Sequence, residues 1–173
     1  MKISVFSVIG VWMFVHLNKK LPVFLTVIWI CIIFSFSIQS GTKSEQVSDG
    51  LGQLIIEHST PEVTEKFTDL SVLEWKTFHK FIRKCAHLTE FFILGILASI
   101  STFGTNRKYK NCMIFLLCAI VAILDEAIQL FVPGRSGQWT DVLLDCGGGL
   151  TGMSVFRCFT YFLKGKKTTS DKI

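Results

Sequence analysis

The sequence is short of the signatures that most directly announce a chemistry. It has no Gly-x-Ser-x-Gly elbow, no His-Glu-x-x-His pair and no Gly-x-x-x-x-Gly-Lys loop, so the usual nucleophile, zinc and nucleotide signals are missing. Strand-period alternation and Asn-Gly hairpin turns are absent, which argues against a β-barrel. There is no internal repeat and no low-complexity stretch. The six cysteines (31, 85, 112, 118, 146 and 158) form no Cys-x-x-Cys pair and sit mostly in apolar runs. They read as small packing hydrophobes, which indicates neither zinc nor a disulfide framework. Nucleic-acid binding has no support.

What is present is long apolar sequence. Half of the 173 residues are hydrophobic and the mean hydropathy is +0.49. Leu21 to Ile38 contains no charged residue and nearly reaches the ~20 residues that cross a bilayer. Three later stretches are apolar with polar residues gathered at one end. The expected fold is all-α, an integral membrane bundle of four transmembrane helices at about 21–38, 82–103, 112–132 and 141–163. A mostly helical loop, 39–79, separates the first two. Within it Thr60-Pro61 marks a helix start, and Ser71-x-x-Glu74 is a capping box opening towards the second span. Residues 3–17 are apolar but only about 22 Å long as a helix, with three readings: an interfacial helix, an extension upstream of a start at Met13, or a short fifth span. The organisation is then an N-terminal extension at 1–20, a membrane domain at 21–163 and a basic tail at 164–173.

Charge orients these spans. Lys19 and Lys20, then Arg107, Lys108 and Lys110, then Lys164, Lys166 and Lys167 fall on one side, which the positive-inside rule makes cytoplasmic. The loops 39–79 and 133–140 are then extracytoplasmic, and the first carries the acids Glu45, Asp49, Glu57, Glu62, Glu65, Asp69 and Glu74. The C-terminus is expected in the cytoplasm of a cell-membrane protein. Lys80, Arg83, Lys84 and Arg135 break this pattern, because they are cations on the outer side. An anion held there is one reason for them.

The polar residues within the spans agree in depth. His87 and Glu90 lie about 7 to 12 Å below the outer end of the second span, and Asp125, Glu126 and Gln129 about 4 to 11 Å below that of the third. Asp141 opens the fourth span at the surface, and Asp145 lies about one and a half turns inside it. Arg83, His87 and Glu90 share a helical face, as do Asp125 and Gln129, and Asp141 and Asp145. Glu126 points about 100° from Asp125 and is expected towards a neighbouring helix instead. The purely apolar runs Phe91–Phe103 and Cys112–Leu124 are too short to span alone, so these residues belong to the spans. A charged side chain at a helix centre costs about 2.5–3.5 kcal/mol, less near an end. So many ionisable groups need mutual pairing, an outward-open polar pocket, or both. Pro133-Gly134 ends the third span, and the glycines at 147–149 and 152 let the fourth approach a neighbour closely.

"RKCAHLTEFFILG", "LDEAIQLFVPGRSGQWTDVLLD" and "FSFSIQSG" resemble the VanZ-like family of bacterial membrane proteins. Its pattern runs Lys-x-x-His-x-x-Glu, then Asp-Glu-x-x-Gln-x-x-x-Pro-x-Arg, then Asp-x-x-x-Asn/Asp. The resemblance covers nearly all of Leu21 to Leu163. It singles out Ser37, Gln39, Lys84, His87, Glu90, Asp125, Glu126, Gln129, Arg135, Asp141 and Asp145. Many relatives have asparagine where this chain has Asp145. The family is named for a member that raises resistance to the glycopeptide teicoplanin, and it implies a multi-pass protein of the cytoplasmic membrane.

Two mechanisms follow. In the first, Arg83, Lys84 and Arg135 hold the anionic group of an envelope lipid or lipid-linked cell-wall precursor, with Ser37, Gln39, Glu126, Gln129, Asp141 and Asp145 as further ligand-binding residues. In the second, a membrane-embedded hydrolase or transferase acts on such a lipid, with His87 as acid, base or nucleophile and Glu90 or Asp125 orienting it. Asp125, Glu126, Asp141 and Asp145 supply hard oxygens suited to a divalent metal. No residue is assigned as a metal ligand, however, and the cofactor and oligomeric state stay open. The alternative to any pocket is that these residues pair only to lock the helices.

Overall fold

The computed structural model describes residues 20–58, 60, 72–104 and 108–170, and the described residues are helices and turns. The expectations for residues 3–17, Lys19, Pro61, Ser71 and Arg107 fall outside them. The helices are α1 (Lys20–Ser37), α2 (Gly41–Glu57), α3 (Val72–Ser101), α4 (Lys110–Gln129) and α5 (Trp139–Ser170).

Three of these, α1, α3 from Leu73 and α4, are long and apolar enough to cross a membrane. The fourth expected span lies in α5, which is long but carries Asp141, Asp145, Arg157 and four glycines in the relevant stretch. The second span is not a separate helix after a loop, because α3 begins at Val72, directly after the capping-box serine, and runs unbroken to Ser101. α4 stops at Gln129, three residues before the expected boundary. Leu130, Phe131 and Val132 continue it in single turns before Pro133.

The distribution of side chains is that of a protein solvated by lipid. Phe24 is 61% exposed, Leu116 55% and Ile123 57%, whereas Asp125, Gln129 and Asp145 are all 0% exposed. A water-soluble bundle reverses this arrangement. A small apolar core of Ile33, Phe91, Leu94, Ala98, Ile114, Cys118, Val121 and Ala122 fills the middle of α1, α3 and α4. All six cysteines are free.

Helix directions place the polar ends together. Thr26 near the start of α1 shares a 2.9 Å hydrogen bond with Ser101 at the end of α3, and the Trp29 indole donates to the Glu90 carbonyl at 2.9 Å, so these helices run antiparallel. α3 and α5 run parallel: Lys84 pairs with Asp141, His87 faces Asp145, and Phe103 meets Phe156 ring to ring. Glycine permits this closeness. A Cβ on Gly148 would lie 2.7 Å from the Leu88 carbonyl oxygen, and one on Gly149 2.8 Å from Cys118 Sγ of α4. The small-residue stripe seats α5 against both neighbours at once.

α2 is fastened at its start and at its middle. The Gly41 amide donates to the Pro133 carbonyl at 3.1 Å, where a Cβ on Gly41 would collide with Gly134. Gly134 itself has φ +76°, the left-handed region that glycine enters without strain. Further along, Asp49 of α2 pairs with His79 of α3 at 2.9 Å.

Candidate functional site

The ends of α1, α4 and the starts of α3 and α5 meet at one end of the bundle, and there the polar side chains collect. Asp125 is the hub. Its two oxygens accept from the Ser37 hydroxyl of α1 and, at 2.9 Å, from the Gln129 amide one turn on. His87 Nδ1 stands 3.6 Å from Asp125 Oδ2 and 3.6 Å from Asp145 Oδ2, centred between α4 and α5. Both separations are too long for hydrogen bonds. Ser37, His87, Asp125, Gln129 and Asp145 are all buried.

Glu126 departs from its expected direction. It stays with the cluster rather than turning to a neighbouring helix, because the 130–138 turn folds back over it. Its Oε2 accepts the Gln138 amide at 2.7 Å, immediately before α5 begins, while Oε1 lies 3.4 Å from the Gln129 amide nitrogen. A carboxylate here satisfies an amide that the helix start leaves free and complements the helix dipole. Gly137 makes the fold-back possible, since a Cβ on it would sit 2.6 Å from the Glu126 carbonyl oxygen. Gly137→Ala is therefore expected to loosen this turn and lower the thermal midpoint of the purified protein by several degrees. An unchanged midpoint would show that the turn has room.

Asp141, expected at the surface, is 3% exposed because Lys84 lies over it and forms an ion pair. Two cavities open beside the cluster. The first, about 220 Å³, is walled by Ser37 and Gln39 of the α1 end, Arg83, His87 and Glu90 of α3, and Arg135 from the turn. The second, about 300 Å³, runs between α2 and α3 and is lined by Lys76, Lys80, Arg83 and Lys84 together with the acids Glu45 and Asp141. Arg83, Ser44 and Ser48 border both. Burial, and then the nearby Arg83, draws the Arg135 guanidinium below its ordinary pKa, and its Nε has no hydrogen-bond partner among the described residues. Arg83 and Arg135 face this first space together with Glu90, two arginines to one carboxylate.

Every residue singled out from the sequence is thus at this end, in two groups. Ser37, His87, Asp125, Glu126, Gln129 and Asp145 form the buried cluster; Gln39, Arg83, Lys84, Glu90, Arg135 and Asp141 border the cavities. Lys76, Ser44 and Ser48 were not anticipated. Their signal was present in the i, i+4 spacing of the serines on α2 and of Lys76 with Lys80, the latter depending on α3 starting ten residues before the expected span.

Residues 22–161 match the VanZ/LLP1 family, which takes in the cluster and both cavity walls. The chain belongs to the VanZ/LLP1 family. No curated protein matches it, and neither does any solved structure. Within this VanZ/LLP1 chain the match ends at residue 161, so the basic residues after it stand apart from the shared region.

Proposed function

We propose that this VanZ/LLP1 chain is a four-span protein of the cell membrane that binds the anionic group of an envelope lipid or lipid-linked cell-wall precursor at its extracytoplasmic face. The observation that carries this reading is the cationic pair of cavities joined at Arg83. Of Lys76, Lys80, Arg83, Lys84 and Arg135, only Lys84 has an ion-pair partner among the described residues. Five cations outnumber the acids Glu45, Glu90 and Asp141 that line the same cavities, an excess that suits a phosphate or carboxylate headgroup, with arginine able to bind it in a two-pronged fashion. The exposed apolar flanks of the same helices would carry the acyl chains. A protein that engages surface lipids in this way would alter susceptibility to an acylated glycopeptide such as teicoplanin, which acts at the membrane surface.

In this arrangement α5 supplies the fourth crossing. Its Asp141 and Asp145 do not forbid it, because both are buried among α3 and α4 rather than facing lipid. The basic residues at the far ends of α1, α4 and α5 support a cytoplasmic C-terminus by the positive-inside rule. A reporter fused at Lys172 is expected to be active only as a cytoplasmic fusion; activity as an exported one would reverse the topology and move the cavities to the other leaflet.

Binding is tested by mass spectrometry of lipids that co-purify with the full-length protein. Arg83→Gln with Arg135→Gln is expected to reduce bound anionic lipid at least about tenfold, since a hydrogen bond to a charged group contributes ~1.5–3 kcal/mol. Equal lipid retention by the double variant overturns the reading. A second reading, catalysis on the same lipid, is favoured by His87, which reaches the first cavity while held between two carboxylates. It requires that wild-type protein convert the co-purified lipid and that His87→Gln stop the conversion without releasing the lipid.

A further inference from the structure

We propose that His87, Asp125, Glu126 and Asp145 form a binding site for a divalent cation of the manganese or zinc kind, in the buried cluster next to the anion-binding cavities. Each offers one ligand atom, and the four atoms lie within 4.8 Å of one another. Metal–ligand bonds of ~2.0–2.3 Å put ligand atoms up to about 4.4 Å apart across an ion. A contraction of a few tenths of an ångström therefore closes the set around one ion.

The independent observation is the hydrogen-bond ledger. Both carboxylate oxygens of Asp145 are buried and have no hydrogen-bond partner among the described residues, the residue being 0% exposed. His87 Nδ1 and Gln129 Oε1 likewise lack a hydrogen-bond partner among them, and His87 is 6% exposed. Buried polar atoms normally find partners, and an orphaned carboxylate is among the costliest exceptions. His87 Nδ1 lies 3.6 Å from Asp145 Oδ2, and both atoms are potential electron-pair donors to one ion. Positive charge is short as well: three carboxylates crowd one imidazole, Lys84 is engaged by Asp141, and no lysine or arginine among the described residues forms an ion pair with any of the three. A divalent ion supplies both the missing acceptor of electron pairs and the missing charge.

The surroundings are those of a built site. Ser37 and Gln129 donate to Asp125, and the Gln138 amide donates to Glu126, so two ligands are held in place by outer partners. One imidazole with three carboxylates favours a borderline first-row ion over calcium, which takes oxygen alone, and the absence of a thiolate among the four argues against a soft ion. The four residues come from α3, α4 and α5, so an occupied site also ties those three helices together at the depth where they cross.

The test uses full-length protein in detergent, stripped with chelator and equilibrated with Mn²⁺ alone or Zn²⁺ alone, followed by metal analysis and thermal unfolding. One ion per chain and a raised unfolding midpoint are expected. Asp145→Ala and His87→Gln should each abolish binding and the thermal shift. Ser37→Ala, which leaves all four ligands, should weaken affinity about 10- to 100-fold. Asp145→Ala keeps the question open to measurement even if His87→Gln misfolds, because it removes two unpaired buried oxygens. No uptake of either ion by folded wild-type protein overturns the proposal, as does uptake that survives Asp145→Ala. Metal retained by Arg83→Gln with Arg135→Gln, which should shed lipid, keeps this outcome distinct from that of the lipid reading.

Discussion

Gly152→Ala is expected to impair closure of α5 on α3, whereas Gly147→Ala five residues earlier is expected to be harmless. At Gly152 the added methyl group would run into the Phe92 carbonyl oxygen, a backbone atom that cannot swing aside. Nothing lies within 4 Å of a Cβ at Gly147. In an exposed helix interior glycine to alanine stabilises by about 1 kcal/mol, so Gly147→Ala should hold or raise the midpoint. Overpacking typically costs ~1–3 kcal/mol, and Gly152→Ala should fall at or above the upper end because α5 would have to move as a unit. Unfolding midpoints in mild detergent and membrane abundance check the pair. Since the register of α3 on α5 sets His87 beside Asp145 and Lys84 beside Asp141, Gly152→Ala should also reduce the proposed metal and lipid binding without touching either proposed site. Equal midpoints for the two variants would show that the helices are not held apart by that one carbonyl.

Asp125→Ala should be the most damaging single change among the polar residues. It strands the Ser37 hydroxyl and the Gln129 amide and removes one of the two carboxylates flanking His87. Buried groups left unsatisfied cost about 1–3 kcal/mol each, so two together come to about 2–6 kcal/mol, against about 0.5–3 kcal/mol for an ordinary substitution. Asp125→Asn separates shape from charge. Its side-chain oxygen can still accept from Ser37, and Gln129 can turn its amide to present Oε1, which has no partner in the native cluster. A much smaller loss of stability is therefore expected for asparagine, measured as unfolding midpoint against the wild type. If the two variants unfold alike, the charge rather than the hydrogen-bond geometry holds the cluster. If neither is destabilised, Asp125 does not organise this end of the bundle.

The contrast between the two residues shows which parts of the site the chain announces locally. Asp125 and Gln129 declare themselves by helical spacing inside an apolar run, as do His87 and Asp145, because a polar residue at that depth has few ways to be accommodated. Glu126 did not, since its partner is a backbone amide twelve residues ahead and the turn between them returns only because Gly137 has no side chain. The cations of the mouth were half legible. Lys80, Arg83, Lys84 and Arg135 stand out against the charge topology, while Lys76 joins them only because α3 starts at Val72 and carries the acidic loop's end as helix.

Sequence by itself therefore determined the all-helical class, the apolar runs behind α1, α3, α4 and α5, the end of the bundle where the polar groups gather, and the family. All of these follow from hydropathy, period and motif, which are properties of neighbouring residues. Tertiary structure alone decided the partners. Ser37 reaches Asp125, Lys84 takes Asp141 rather than Glu90, and Asp145 is left with both oxygens unpaired beside His87. These choices depend on how each helix is rotated and how far it slides against the next. That register is set by close contacts such as Gly152 on Phe92 and Gly41 on Gly134, between residues far apart in the chain.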